Sequence, residues 1–301
     1  MDPVFPRLAS RAKRLRRRPL FKETRIPARM LVPNFFTLLG LCAGLTSIRM
    51  SIEGRWDLAL AAIVFAALLD GIDGRIARLL KASSRFGAEL DSLADFVNFG
   101  VAPAFLLFTW GFGEVKNSGW IAVMIFALAS ALRLARFNVS ADDVKPRWQT
   151  GYFVGVPTPA AAIIVLLPFY LHQLGLGLAE MKPAMMASVA YTVVVAVLMV
   201  STVPTFSGKL IGERIAREWV MPAFMLAIGY VACLVTYPYE ALTLTALIYL
   251  LLLPLSWRRH RAASEVAARE ASDEVPPRAE EDAKAGTPPR VVDLRTNEPR
   301  R

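Results

Sequence analysis

The chain has 301 residues, 55% of them hydrophobic, with a mean hydropathy of +0.42 and a formal net charge of +10. Apolar residues in long continuous runs exclude an ordinary soluble domain, and the lack of alternation excludes a membrane barrel, which leaves an all-α integral membrane protein. The positive charge is local: Lys/Arg against Asp/Glu is ten to two in residues 1–30, fifteen to fourteen in 31–257 and ten to nine in 258–301. The excess is thus an arm beside a membrane and not a nucleic-acid-binding face; no nucleic-acid partner is expected.

Residues 1–30 form this basic N-terminal arm, whose RAKRLRRRPLFK stretch reads as an orientation signal and a contact for anionic membrane lipids. The first apolar run is long and no small-residue cleavage site follows it, so a cleaved signal peptide is not expected. Eight spans are predicted, over residues 33–52, 56–74, 92–112, 118–137, 154–173, 184–204, 219–237 and 240–257. The first six, within residues 31–205, read as one unit. Residues 206–257 add a loop and two further transmembrane helices.

With the N-terminus in the cytoplasm, the loops near 75–91, 133–153 and 206–218 face inside. They carry Arg75, Arg78, Lys81, Arg85, Arg133, Arg136, Lys145, Arg147, Lys209, Arg214 and Arg217. The opposite loops carry only Arg49, Arg55, Lys116 and Lys182, so the positive-inside rule holds throughout. Both termini then face the cytoplasm of what is expected to be a bacterial inner membrane. The tail, 258–301, is polar and proline-bearing and is expected to be largely disordered, with room for a short helix at 258–271. Cys42 and Cys233 read as small buried hydrophobes, and the isolated His172 and His260 do not form a zinc site. Trp56, Trp110, Trp120 and Trp257 read as interfacial anchors, Met185 and Met186 as lipid-facing or packing residues. The last two helices are expected to pack, with a second copy of the chain as a partner, and to carry no chemistry.

One stretch departs from this apolar pattern. LLDGIDGRIARLLKASSRFGAELDSLADF, residues 68–96, places Asp70 and Asp73 three apart at the end of the second span. Asp91 and Asp95 stand four apart where the third begins. Each pair shares a helical face, and the short connection predicts antiparallel neighbours. Four carboxylates meeting beside a bilayer need cations to offset them. Hard oxygen ligands suit Mg²⁺, Mn²⁺ or Ca²⁺, and four carboxylates balance two divalent ions, which in turn bind phosphate oxygens. Gly71, Gly74, Ala77, Gly87 and Ala88 keep both helix surfaces low enough for a phosphate ligand, and Arg78 is placed to contact it. A cation transporter also gathers acids near a membrane, but it gives no reason for the glycines and arginine.

Asp70-x-x-Asp73-Gly74-x-x-Ala77-Arg78, eight residues, then Gly87-x-x-x-Asp91-x-x-x-Asp95 resembles the CDP-alcohol phosphotransferase signature at every position. The resemblance covers residues 30–205 and implies that family's six-helix core, followed here by two C-terminal transmembrane helices. It implies transfer of a phosphatidyl or similar group from a CDP-linked donor to an alcohol, with release of CMP. By motif position, Asp70, Asp73, Asp91 and Asp95 hold divalent metal, two Mg²⁺ or Mn²⁺ per site, and Asp95 also matches the general-base position. Gly74 and Arg78 match contacts to the CDP donor, and Asn34 and Thr37 in VPNFFTLLG lie beside the nucleotide. DFVNFGVAPA (95–104), LRLARFNV (132–139) and GYFVGVPTPAA (151–161) resemble the serine-using bacterial branch, with STVPTFSGK (201–209) fitting less specifically. Asn98 stands where many relatives carry Ser. The resemblance therefore implies CDP-diacylglycerol and L-serine as substrates, with glycerol 3-phosphate, inositol phosphate and choline left as alternative acceptors. Arg133 and Arg136 are candidates for holding the serine carboxylate or a phosphate, or else serve as positive-inside charges; Asn138 is a candidate helper.

Overall fold

The computed structural model describes residues 31–80, 84–140, 152–201, 204–206 and 217–273. The basic arm, Lys81, Lys145, Arg147, Lys209, Arg214 and residues 274–301 lie outside the described residues. Helices α1 (Leu31–Ile52) and α2 (Trp56–Leu79) form the most extensive helix pair. Gly54, at φ +70°, turns the chain between them, and Arg55 N–H closes the turn on the Met50 carbonyl at 2.9 Å.

Ser84 starts α3 (Arg85–Asp95) as its N-cap, its hydroxyl accepting the Gly87 N–H at 3.0 Å. The helix runs on through a π-helical turn, Phe96–Val101, into α4 (Ala102–Trp110). The third predicted span is thus one 26-residue helical rod, Arg85–Trp110, which begins two turns earlier than its apolar stretch suggested. α5 (Asn117–Val139) packs against the π turn; a Cβ at Gly100 would stand 2.6 Å from the Ser130 hydroxyl. The next span is broken into α6 (Thr158–Val165) and α7 (Leu167–Leu171), with Pro168 unable to donate to the ladder at the break. α8 (Lys182–Val200), α9 (Arg217–Thr236) and α10 (Pro238–Asp273) complete the bundle.

Seven described helices are long and apolar enough to cross a membrane, making this an integral membrane protein. α2 is the remaining predicted span. It has 24 residues, and its own Asp57, Asp70, Asp73, Arg75 and Arg78 keep it from the apolar criterion. The all-helical fold predicted from the sequence holds, with one small addition. β1 (Tyr152–Val154) pairs antiparallel with β2 (Pro204–Phe206), Tyr152 opposite Phe206 and Val154 opposite Pro204. This ladder joins the ends of the fifth and sixth spans. Gly155 follows it at φ +78°, and a Cβ there would press on the Met199 carbonyl and stand 3.0 Å from that of Ser201. Gly155→Ala is therefore expected to cost about 1–3 kcal/mol, read as a lower midpoint of thermal unfolding in detergent. An unchanged midpoint would show that the bend relaxes without strain.

The packed interior lies among α2, α4, α5, α6, α7 and α8, around Leu106, Phe126, Phe169 and Tyr170, each no more than 1% exposed. Ala59, Ala66, Ala102 and Ala122 are fully buried, as expected where helices associate in lipid by close approach and not by the hydrophobic effect. Phe35, Leu38, Leu128 and Val197 point outward, to where acyl chains would lie. α9 packs chiefly on α10, with Tyr230 and Thr245 hydroxyls 2.9 Å apart, while α10 rests on α6, α7 and β2. At the end away from the carboxylates, Tyr239 donates to Asp57, and Gln173 bonds both, fastening α10 to the bundle.

Two expectations are corrected here. Trp110 is not an interfacial anchor: it is 6% exposed, wedged among Phe112, Phe169 and His172, because the chain turns back over it. Cys42 and Cys233 are free thiols on outward helix faces and not buried, since every face of these spans is apolar and the sequence does not mark which turns inward. The reading of the methionines as packing or outward-facing holds: Met185 is buried and Met186 is 49% exposed. The short helix allowed for at 258–271 is present, as an extension of α10 through Asp273, and the rest of the tail lies outside the described residues.

Candidate active site

The site is built where three helices end on one side of the bundle. α1 contributes its first half, α2 its last turns and α3 its second half. Helical spacing gives each a matching inward face. On α1 this face holds Thr37, Gly40 and Gly44; on α2, Ala66, Asp70 and Asp73; on α3, Asp91, Ala94 and Asp95. Thr37, Gly40, Gly44, Ala66, Asp73 and Ala94 are buried. The glycines and alanines bring the backbones close, and the acids meet between them.

Carboxylate oxygens of Asp70, Asp91 and Asp95 all lie within 4.8 Å of one another. Asp73 stands beside this trio. It is 5% exposed and accepts a hydrogen bond from the Thr37 hydroxyl at 2.8 Å. Thr37 also donates toward the Pro33 carbonyl at 3.2 Å, which aims its oxygen along α1 toward α2. All four acids line one water-sized cavity of about 10 Å³ with Thr37, Gly40 and Asn98. No Lys or Arg among the described residues forms an ion pair with any of them.

A larger groove of about 180 Å³ opens from the same place. Asn34 and Thr37 line it from α1, Asp73, Gly74 and Ala77 from α2, and Ser84, Gly87, Ala88 and Asp91 from α3 and its cap. Nothing lies within 4 Å of a Cβ built on Gly74, so its bareness serves the groove and not helix packing. Gly87 differs: a Cβ there would stand 3.0 Å from the Asn34 side-chain oxygen and 3.1 Å from the Ser84 hydroxyl, so this glycine lets α3 approach α1. Of the residues expected beside the nucleotide, Asn34, Thr37 and Gly74 share this groove. Arg78 does not line it; its Nε donates to the Gly74 carbonyl one turn back, at 3.0 Å.

The two candidate acceptor arginines separate. Arg133, on α5, is 7% exposed; one Nη donates to the Thr158 hydroxyl at 3.1 Å, while its buried Nε has no hydrogen-bond partner among the described residues. Asp95 lies within its electrostatic reach. Arg136 instead caps the end of α8, donating to the carbonyls of Val200 at 2.9 Å and Ser201 at 3.3 Å. Asn138 bonds Ser92 at 3.0 Å and so ties α5 to α3. The sequence reading missed Thr158 as the partner of Arg133. No local signal points to it, because 25 residues separate the two.

A family model described as CDP-alcohol phosphatidyltransferase matches residues 30–205, the segment that carries every residue of this site. This chain belongs to the CDP-alcohol phosphatidyltransferase family. A second family model, CDP-alcohol phosphatidyltransferase 2, matches residues 218–254. Among curated relatives, the CDP-diacylglycerol–serine O-phosphatidyltransferase of Mycobacterium leprae is 49% identical over 137 residues, 45% of each chain. The chain therefore spans just under half the length of that relative. The protein of the same name from Helicobacter pylori strain 26695 is 33% identical over 227 residues, 75% of this chain and 91% of its own. That of Saccharomyces cerevisiae is 38% identical over 153 residues, 48% of this chain and 55% of its own.

CDP-alcohol phosphatidyltransferases are generally dependent on divalent cations, and the donor set here fits such an ion. It is made of hard carboxylate oxygens without His or Cys, its three central oxygens are close enough to share one ion, and none of its acids forms an ion pair among the described residues. Asp73 borders the same cavity and would add a fourth carboxylate to the set.

Proposed function

We propose that the chain transfers the phosphatidyl group of CDP-diacylglycerol to L-serine, giving phosphatidylserine and CMP. The observation that carries this is the meeting of the α2 and α3 acids beside an open groove of about 180 Å³. The names of the relatives support serine as the acceptor.

Asp70, Asp73, Asp91 and Asp95 would hold Mg²⁺ or Mn²⁺, two ions by charge balance. Bound there, the cations neutralise the donor's phosphate oxygens and stabilise the charge that develops on CMP. The protein's own residues do the rest. Asn34, Thr37 and Gly74 line the place for the CDP moiety, and Arg78 sits at its rim to meet the donor from outside. Asp95 takes the proton from the serine hydroxyl. The serine oxygen bonds to the phosphorus that carries diacylglycerol, and the bond from that phosphorus to the CMP oxygen breaks. Arg133 holds the serine carboxylate through the guanidinium edge that faces away from Thr158. Arg136 is assigned to hold the end of α8 in place and not to bind substrate.

The acceptor decides the reading. Purified protein given CDP-diacylglycerol, Mn²⁺ and one alcohol at a time is expected to release CMP with serine alone. Release with glycerol 3-phosphate would overturn the acceptor, and cation flux without any transfer would overturn the enzyme. Arg133→Lys is expected to raise the KM for serine about 10- to 100-fold, because lysine cannot reproduce a two-point contact. Arg136→Lys should leave that KM unchanged and lower thermal stability. Equal effects of the two on serine KM would undo their separation. Arg75, Arg78, Arg85, Arg133 and Arg136 all stand at the carboxylate end of their helices. With the positive-inside rule, this supports a reading in which the site and both termini face the cytoplasm and the basic arm meets anionic headgroups.

A further inference from the structure

Asn98 lies about one helical turn beyond Asp95 along the same rod. It is 2% exposed, sits on the π turn, and lines the same water-sized cavity as Asp70, Asp73, Asp91 and Asp95. Its position follows from spacing: seven residues beyond Asp91 and three beyond Asp95, it shares their face. Opposite it, α1 offers bare backbone. A Cβ on Gly44 would overlap the Asn98 side-chain oxygen, and one on Gly40 would stand 3.6 Å from its Nδ2. Gly40 lines the cavity, so the amide nitrogen is the end turned toward the carboxylates, while the oxygen is buried over Gly44 without a hydrogen-bond partner among the described residues. A carboxamide is costly to bury without partners in a bilayer, and ionised carboxylates on this side offer its N–H group acceptors.

We propose that Asn98 is a positioning residue whose N–H group closes the inner end of the carboxylate cavity and holds the acidic ligands in the arrangement that takes a divalent cation. This rests on the cation-site reading of the four acids and adds to it a residue outside their motif. Donors that orient carboxylate ligands change metal affinity by about 10- to 100-fold when removed.

The test uses the full chain in detergent, with Mn²⁺ binding followed by titration calorimetry and folding by thermal unfolding in EDTA. Asn98→Leu keeps the size and removes the donor; it is expected to weaken Mn²⁺ at least about tenfold while the unfolding midpoint in EDTA does not fall. Asn98→Ser restores a donor and is expected to bind Mn²⁺ within about threefold of the parent, well inside the loss for a missing donor. If the leucine variant does not fold, Asn98→Ala carries the same expectation. Parent-like Mn²⁺ affinity in a folded leucine or alanine variant overturns the proposal, as does a serine variant as weak as leucine, which would make the effect one of shape. Failure of the parent to bind Mn²⁺ at all would instead overturn the cation site itself, and with it this inference.

Discussion

Asp91→Asn is expected to leave a folded, membrane-inserted protein that retains below about 1% of CMP release at saturating serine, a loss of several kcal/mol in the barrier. The reason is geometric. Asp91 and Asp73 are the two acids that line both the inner cavity and the groove with Asn34 and Gly74, and of these two Asp91 is the one in the close trio with Asp70 and Asp95. Its carboxylate lies within 4.8 Å of both other members of the trio, so removing its charge opens the cage on the side where the donor's phosphates would enter. Folding should survive, because the substitution relieves repulsion among acids that form no ion pair among the described residues. Raising Mn²⁺ should recover little. Near-parental turnover with a folded variant would remove Asp91 from the metal ligands. Loss of folding would mean that the acid supports packing, and in that case Asp91→Glu, which keeps the charge, separates the two roles.

Gly74→Leu is expected to weaken binding of the CDP donor by roughly 5- to 150-fold, as overfilling a formed site by about 1–3 kcal/mol would do. The Cβ has open space around it, so α2 itself accepts the side chain, and replacing a helical glycine favours the helix. The added isobutyl group then projects into a groove of about 180 Å³. Mn²⁺ affinity should stay close to the parent's, since Gly74 does not line the inner cavity. The expected signature is a raised KM for CDP-diacylglycerol with unaltered Mn²⁺ titration and an unfolding midpoint at or above the parent's. An unchanged KM would show that the nucleotide lies elsewhere.

These two substitutions fall on residues that the sequence marks, and much else about this protein is equally local. Most span positions follow from runs of apolar residues, whereas the start of α3 at Arg85 lies two turns ahead of its apolar stretch. The pairing of Asp70 with Asp73, and of Asp91 with Asp95, follows from the periodicity of a helix, which needs no tertiary information. Even Asn98 is visible in retrospect, as the next residue on the Asp91–Asp95 face. What a linear pattern cannot carry is which apolar face turns inward, because in lipid both faces are apolar. Cys42 therefore faces outward, Trp110 is enclosed, and Met185 is buried while Met186 is not. The three-residue ladder between β1 and β2 is too short to alternate detectably and brings together segments 50 residues apart. Arg133 and Arg136 look alike as charges three residues apart on one helix. Only packing separates them, because α6 presents Thr158 to one and α8 ends its backbone against the other.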